Sequence, residues 1–330
     1  MELLTTQRLE WLDAIKGLGI ILIMYAHTSG IPFISHWALP GFMAPWFVIS
    51  GIFLNLNTNW KEGIVKKGYR LLVPYFIYGA LGILIFYACD AAPHLLLSFI
   101  GLGYSRFALY PLSEQSNIIF LNGIAPLWFL TALYVSIIVY KISRLYKGKC
   151  LWITFILLAC VLNFAPILLP WSLDTMPICI LFLMFGVSMR NLLLKYYDRR
   201  ILFVILVISI LFLLIGVRIN GGSNLSVREY GRWGIISVFL YYVIGILTTI
   251  ISFAIMKLLN GGFLVKYFAF IGKLSLTLMC IHSIILRFFP IDIASSLNAT
   301  LFIVATIAVA MFLNYCYKRF ADKIPFLKYL

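Results

Sequence analysis

Three ionisable side chains interrupt an apolar stretch near the start of the chain. Asp13, Lys16 and His27 lie within LDAIKGLGIILIMYAHTSG, residues 12–30. At about 100° per residue in a helix, Lys16 falls about 60° and His27 about 40° from Asp13, so the three share one face. A charge near the centre of a bilayer costs roughly 2.5–3.5 kcal/mol if it faces lipid. This face is therefore predicted to point into the protein or into a wet cavity.

The three side chains are predicted to serve different ends of the helix. Asp13 and His27 are about 21 Å apart along the axis and cannot contact each other. Asp13 and Lys16 are three residues apart and can pair, either as part of a site or as an interfacial ion pair with a snorkelling lysine. His27 lies near the other end, where its imidazole can accept a proton from a hydroxyl group. A histidine that only bonds a helix neighbour is the alternative.

Composition defines the class of protein that carries this helix. Of the 330 residues, 63% are hydrophobic and 11% are charged, and the mean hydropathy is +1.03. Soluble domains are about 45–50% apolar and about 25% charged. The sequence therefore predicts an all-α polytopic membrane protein, with residues 1–330 as a single integral-membrane domain. Six scattered cysteines show no metal-ligand spacing, so neither a metal site nor a disulfide framework is predicted.

About ten apolar runs approach the length of about 20 residues that a membrane span needs. They lie at 14–30, 38–56, 71–89, 122–142, 151–169, 175–194, 201–217, 234–256, 270–289 and 295–316. If the N-terminus is cytoplasmic, 21 of the 26 Lys and Arg residues fall on the cytoplasmic side. This bias predicts that both termini are in the cytoplasm. It also explains the net charge of +15 without a nucleic-acid partner.

Several segments resemble the membrane-bound acyltransferase 3 family, a group of sugar O-acetylases. In RLEWLDAIKGLGIILIMYAH, residues 8–27, the positions that match the family pattern are Arg8, Leu12, Asp13, Gly17 and His27. Lys16 and Lys67 stand where the family usually has Arg, and the late helix lacks the usual Tyr after Ser. Further similar stretches follow in the family's order: PWFVISGIFL (45–54), KKGYRLLVPY (66–75), PLWFLTALYV (126–135), LFLMFGVSMR (181–190) and IGKLSLTLMCIH (271–282).

The resemblance implies transfer of an acyl group, usually acetyl, from cytoplasmic acyl-CoA to a hydroxyl of a surface or lipid-linked carbohydrate. The expected location is a bacterial cytoplasmic (inner) membrane, and the expected acceptor includes polyprenyl-linked sugars. His27 would be catalytic, either as general base or as acyl carrier. Lys16, Lys67 and Arg70 would hold the phosphates of acetyl-CoA, with Asp13 supporting them. A topology signal with anionic lipid contacts is the alternative for the cations between residues 61 and 70.

Other polar residues are candidates for supporting roles. Ser50 and Trp128 could donate to a developing oxyanion, although Ser50 together with Gly51 also suits close helix packing. His282 is a second intramembrane histidine, and a satisfied core histidine is the alternative reading. Ser275, on the same late segment, is expected to bond back to its own helix.

The sequence offers few specific candidates for binding the acceptor. Asp174, beside Trp171, is the first candidate for binding a sugar, whereas most aromatic residues at that side are expected in any membrane protein. A polytopic transporter or flippase for lipid-linked glycans is the main alternative function. It would not need an imidazole at the outer end of the first helix. A non-catalytic scaffold would leave the shared face of Asp13, Lys16 and His27 without a purpose.

Overall fold

The computed structural model describes residues 9–28, 32–56, 60–90, 99, 102–105, 108–109, 125–144, 150–196, 198–289 and 296–320. Within these ranges the chain forms twelve α-helices. The first six are α1 (Glu10–His27), α2 (Pro32–Ile52), α3 (Trp60–Asp90), α4 (Trp128–Ser143), α5 (Leu151–Leu162) and α6 (Met176–Ser188). The others are α7 (Arg190–Lys195), α8 (Arg199–Asn220), α9 (Ile235–Leu258), α10 (Phe263–Lys273), α11 (Ser275–Leu286) and α12 (Ser296–Phe320). Two short strands, β1 (Ala108–Leu109) and β2 (Ile167–Leu168), pair antiparallel.

Each predicted span overlaps at least one of these helices. Five helical segments are long and apolar enough to cross a bilayer, and α10 with α11 makes a sixth if the bent pair is one span. The qualifying segments are 63–88, 170–188, 199–220, 235–258 and 297–320. The all-α polytopic class is therefore confirmed, whereas ten spans and cytoplasmic termini remain predictions. Helix α1 is not among these segments because it carries three charged residues, Glu10, Asp13 and Lys16. Helices α4 and α5 are apolar but shorter than a full span.

Glycines set the closest helix crossings. A Cβ on Gly17 of α1 would lie 1.9 Å from the Phe268 carbonyl oxygen, and one on Gly272 of α10 would lie 1.8 Å from that of Asp13. Such distances leave no room for a side chain, so two backbones can approach only because these residues are glycine. Helices α2 and α6 cross in the same way, since a Cβ on Gly51 would lie 2.1 Å from the Leu183 carbonyl oxygen.

A bend between α10 and α11 directs the late segment along the bundle. The two helices meet at Leu274 with an angle of 71° between them. After the bend, α11 packs against α1, α3 and α12. The result is that residues near the C-terminus stand beside the helix that begins the chain. Helix α8 lies at the periphery, because only 17% of its apolar stretch is buried within the protein.

Candidate functional site: two cavities along one set of helices

His27 is the last residue of α1 and is exposed into an open space at that end of the bundle. This space is a cavity of about 90 Å³, called here the histidine cavity. Its lining residues are Ile23, His27, Met43, Pro126, Trp128, Asn224, Leu225, Ser226 and Met279. The side chains come from α1, α2, the start of α4, α11 and the 221–234 loop. The predicted cavity beside the imidazole is therefore present.

The two intramembrane histidines are neighbours. The rings of His27 and His282 stack with centroids 5.4 Å apart and planes inclined by 30°. His282 is fully buried, and its Nδ1 lies 3.0 Å from the Leu278 carbonyl oxygen. A carbonyl can only accept, so Nδ1 donates and the neutral ring keeps a lone pair on Nε2. No hydrogen-bond partner for Nε2 occurs among the described residues. Within that part of the chain, His282 is thus a core histidine with only one of its two nitrogens satisfied.

A second cavity, of about 160 Å³, lies at the opposite end of α1 and is called here the basic cavity. Its lining includes five residues that the sequence analysis named as candidates: Lys16, Ser50, Lys67, Arg70 and Ser275. The remaining lining side chains are apolar: Trp46, Ile49, Phe53, Leu71, Phe129, Leu130, Leu133, Ile137, Leu276 and Met279. The wall therefore combines cationic with apolar side chains, which suits a ligand with a charged head and a slender arm.

The charge of this cavity is strongly positive. Four other cations lie within electrostatic reach of the Lys67 ammonium: Lys16, Lys66, Arg70 and Lys141. The predicted ion pair is present, with Lys16 Nζ 3.2 Å from Asp13 Oδ1. Asp13 is buried, and its carboxylate offsets part of this positive charge. Lys67 and Arg70 on the cavity wall are suited to an anionic ligand such as a phosphate.

The supporting residues differ in what their side chains do. Ser50 donates to the Trp46 carbonyl at 2.8 Å within its own helix, which favours the packing interpretation over an oxyanion donor. Trp128 is the first residue of α4 and is almost buried at the wall of the histidine cavity. Ser275 begins α11 and faces the basic cavity. Trp128 thus lies closer to the imidazole, and Ser50 and Ser275 lie on the cationic side.

Asp174 lies in neither cavity. It is fully buried, and its Oδ2 is 3.5 Å from Nη1 of Arg228, which is also buried. Arg228 Nη1 further donates to the Ile167 carbonyl at 3.0 Å. This pair ties the 221–234 loop to the segment before α6. The geometry favours a structural role for Asp174, and acceptor binding by this residue remains a prediction.

Sequence reasoning did not identify the loop residues that line the histidine cavity. Asn224 and Ser226 are about 200 residues from His27 along the chain, and Asn224 Oδ1 accepts from the Ser226 hydroxyl at 2.6 Å. Polar, turn-forming residues such as these are typical of a solvated loop. Nothing in that composition distinguishes a solvated loop from one that covers a site.

The apolar helices and the paired internal cavities define an integral membrane protein with a site between its helices. The family model described as an acyltransferase domain, that of the acyltransferase 3 family, matches residues 9–316. The chain therefore belongs to the acyltransferase 3 family, as the sequence resemblance indicated. No curated protein and no solved structure matches it. The family supports an acyltransferase that acts in a membrane on an acyl donor and an acceptor.

Proposed function

We propose that the chain is an O-acyltransferase of a bacterial cytoplasmic membrane that moves an acetyl group from acetyl-CoA to a carbohydrate hydroxyl. The observation that carries the proposal is the position of His27 and the cationic cluster at opposite ends of α1, each in its own cavity. From Lys16 to His27 the helix rises about 16 Å. A donor with anionic phosphates and a long thin thioester arm matches such a spacing.

The donor is held at the basic cavity. Arg70 offers a planar fork that can bind a phosphate in bidentate fashion, whereas Lys16 and Lys67 act as point charges. The apolar side chains that line the same cavity suit the pantetheine arm, which carries no charge. Cytoplasmic synthesis of acetyl-CoA agrees with the predicted orientation, in which this end of the bundle faces the cytoplasm.

Two reaction routes can use His27, one as general base and one as acyl carrier. As general base, a ring nitrogen takes the proton of the acceptor hydroxyl while the oxygen attacks the thioester carbonyl; the carbon–sulfur bond breaks and CoA leaves as the thiolate, which then takes up a proton. As acyl carrier, one ring nitrogen attacks the carbonyl and the carbon–sulfur bond breaks; the CoA thiolate takes up the proton that the other ring nitrogen loses. The acceptor oxygen then attacks the acyl group, the carbon–nitrogen bond breaks, and the imidazole takes up the hydroxyl proton. Stacking against His282 restricts the orientation of the ring in either route.

The acceptor is placed at the histidine cavity. Asn224 and Ser226 offer amide and hydroxyl groups to sugar hydroxyls, and Trp128 offers an apolar ring face. These groups suit a neutral, hydroxyl-rich molecule that is presented from the side opposite to the cations. A lipid-linked or surface carbohydrate fits that description. Membership of an acyltransferase family favours this proposal over a flippase for lipid-linked glycans.

Proteoliposomes supply the test. Acetyl-CoA with a labelled acetyl group is offered at the face of the basic cavity, and transfer to a panel of oligosaccharides and polyprenyl-linked sugars is measured together with release of CoA thiol. We expect His27→Ala to lower the rate by a factor of about 10²–10⁴ while acetyl-CoA binding persists. Unchanged transfer by this variant, or wild-type transfer that needs no acetyl-CoA, would overturn the proposal.

A further inference from the structure

The basic cavity and the histidine cavity are stacked along the same helices. Helices α1, α2, α4 and α11 contribute to both walls. On α1, Lys16 faces the first cavity and Ile23 the second; on α4, the neighbours Phe129 and Trp128 divide in the same way. The two spaces therefore occupy successive levels of one bundle, and their walls meet.

Met279 is the residue that the walls of the two cavities share. Of the described residues that line the two cavities, Met279 alone belongs to both linings. It is 2% exposed and lies on α11, three residues before His282, so the two side chains share a helix face. The Met279 side chain therefore borders both the cavity that holds the cations and the cavity that holds His27.

We propose that Met279 is a movable partition between the donor cavity and the acceptor cavity, and that its size sets which acyl group passes. This inference rests on the proposed function. Methionine suits the task because its unbranched side chain has three rotatable bonds and adapts to irregular space. A β-branched or aromatic residue in this place would hold the two cavities apart more rigidly.

The proposal makes opposite predictions for small and large replacements. Met279→Ala joins the two cavities, so transfer of butyryl relative to acetyl rises by a factor of ten or more. Met279→Trp fills the junction, so transfer of both groups falls at least tenfold while binding of acetyl-CoA at the basic cavity is retained. Met256→Ala is the matched control, because Met256 is also 2% exposed but lines neither cavity.

A second measurement does not depend on activity. Ile23 lines the histidine cavity, so Ile23→Cys reports whether a thin membrane-impermeant thiol reagent arrives there. The reagent is offered from the face of the basic cavity to oriented vesicles, and labelling of the introduced thiol is read by peptide mass spectrometry. We expect at least tenfold faster labelling in the double variant with Met279→Ala than in that with Met279→Trp. Labelling from the opposite face should be equal in both, which shows that both are folded.

The outcomes separate this inference from the proposed function. Equal labelling of the introduced thiol from the basic face in the two double variants would overturn the partition, whatever the enzyme does. If labelling responds to Met279 but the wild-type protein transfers no acetyl from acetyl-CoA, the partition stands and the proposed function fails. If Met279→Ala and Met256→Ala change the butyryl-to-acetyl ratio equally, Met279 does not select the acyl group.

Discussion

The imidazole rings of His27 and His282 are stacked, with their centroids 5.4 Å apart. The first ring ends α1 and the second lies on α11, so a contact between helices about 250 residues apart in the chain creates the pair. His282 is locked by its bond to the Leu278 carbonyl, whereas His27 stands at the open cavity. The buried ring is therefore suited to orient the exposed one.

The histidine pair predicts a graded response to substitution at position 282. His282→Ala removes the stacking surface, and we expect kcat to fall on the order of 100-fold because the His27 ring is no longer held in a reactive orientation. His282→Phe keeps a ring, so we expect its kcat to be at least tenfold higher than that of His282→Ala. Steady-state kinetics with both variants give the answer, with KM for acetyl-CoA expected to stay constant. No recovery by Phe would instead assign a role to the His282 nitrogen, and a wild-type rate in the Ala variant would refute both roles.

The cationic cluster predicts weaker donor binding when single charges are removed. Lys67→Gln and Arg70→Gln should each raise KM for acetyl-CoA by a factor of about 10 to 100, since a hydrogen bond to a charged group contributes about 1.5–3 kcal/mol. The rate at saturation should change little if these contacts are equal in ground and transition states. Lys266→Gln removes an equal charge from an exposed site on α10 outside the basic cavity. An equal rise of KM in that control would show a general surface-charge effect instead.

The crossing of α1 and α10 predicts that its glycines cannot be replaced. A Cβ at Gly17 or Gly272 would stand within 2 Å of a carbonyl oxygen, so each Gly→Ala variant should lose at least the roughly 1–3 kcal/mol that overpacking costs. Thermal unfolding in detergent measures the loss. Gly103→Ala is the control, because an added Cβ there meets no atom of the described residues within 4 Å. Equal melting temperatures for the variants and the control would contradict the close crossing.

The buried pair of Asp174 and Arg228 predicts that substitution of Asp174 lowers the stability of the protein instead of acting directly on acceptor binding. Asp174→Ala leaves a buried guanidinium without its carboxylate, which should cost about 3–5 kcal/mol of unfolding free energy. Combining it with Arg228→Met should restore much of that loss, because both charges are then gone. The melting temperatures of the single and double variants test this. If Asp174→Ala instead keeps its melting temperature and raises KM for the acceptor, Asp174 binds substrate directly.

Much of the site could be anticipated because its residue types are rare in apolar helices. An imidazole and an ion pair inside an apolar helix require a polar environment, so Asp13, Lys16 and His27 stood out. Lys67 and Arg70 were assigned from the resemblance to the family. The structure brings Lys16, Lys67 and Arg70 to one cavity. Asp174 was a candidate because it lies beside Trp171 at the predicted acceptor side, and the pair it makes with the buried Arg228 explains it without a ligand.

The sequence by itself determined the membrane class, the helical content, the shared face of α1 and the family, because these follow from composition, periodicity and local motifs. Only the tertiary structure decided that His282 stacks on His27, that Asn224 and Ser226 line the same cavity as the imidazole, and that Met279 lines both cavities. Each of these contacts joins segments far apart in the chain. Local residue patterns do not encode which distant helices become neighbours, and the glycine crossings and the bend between α10 and α11 settle that only once the chain is packed.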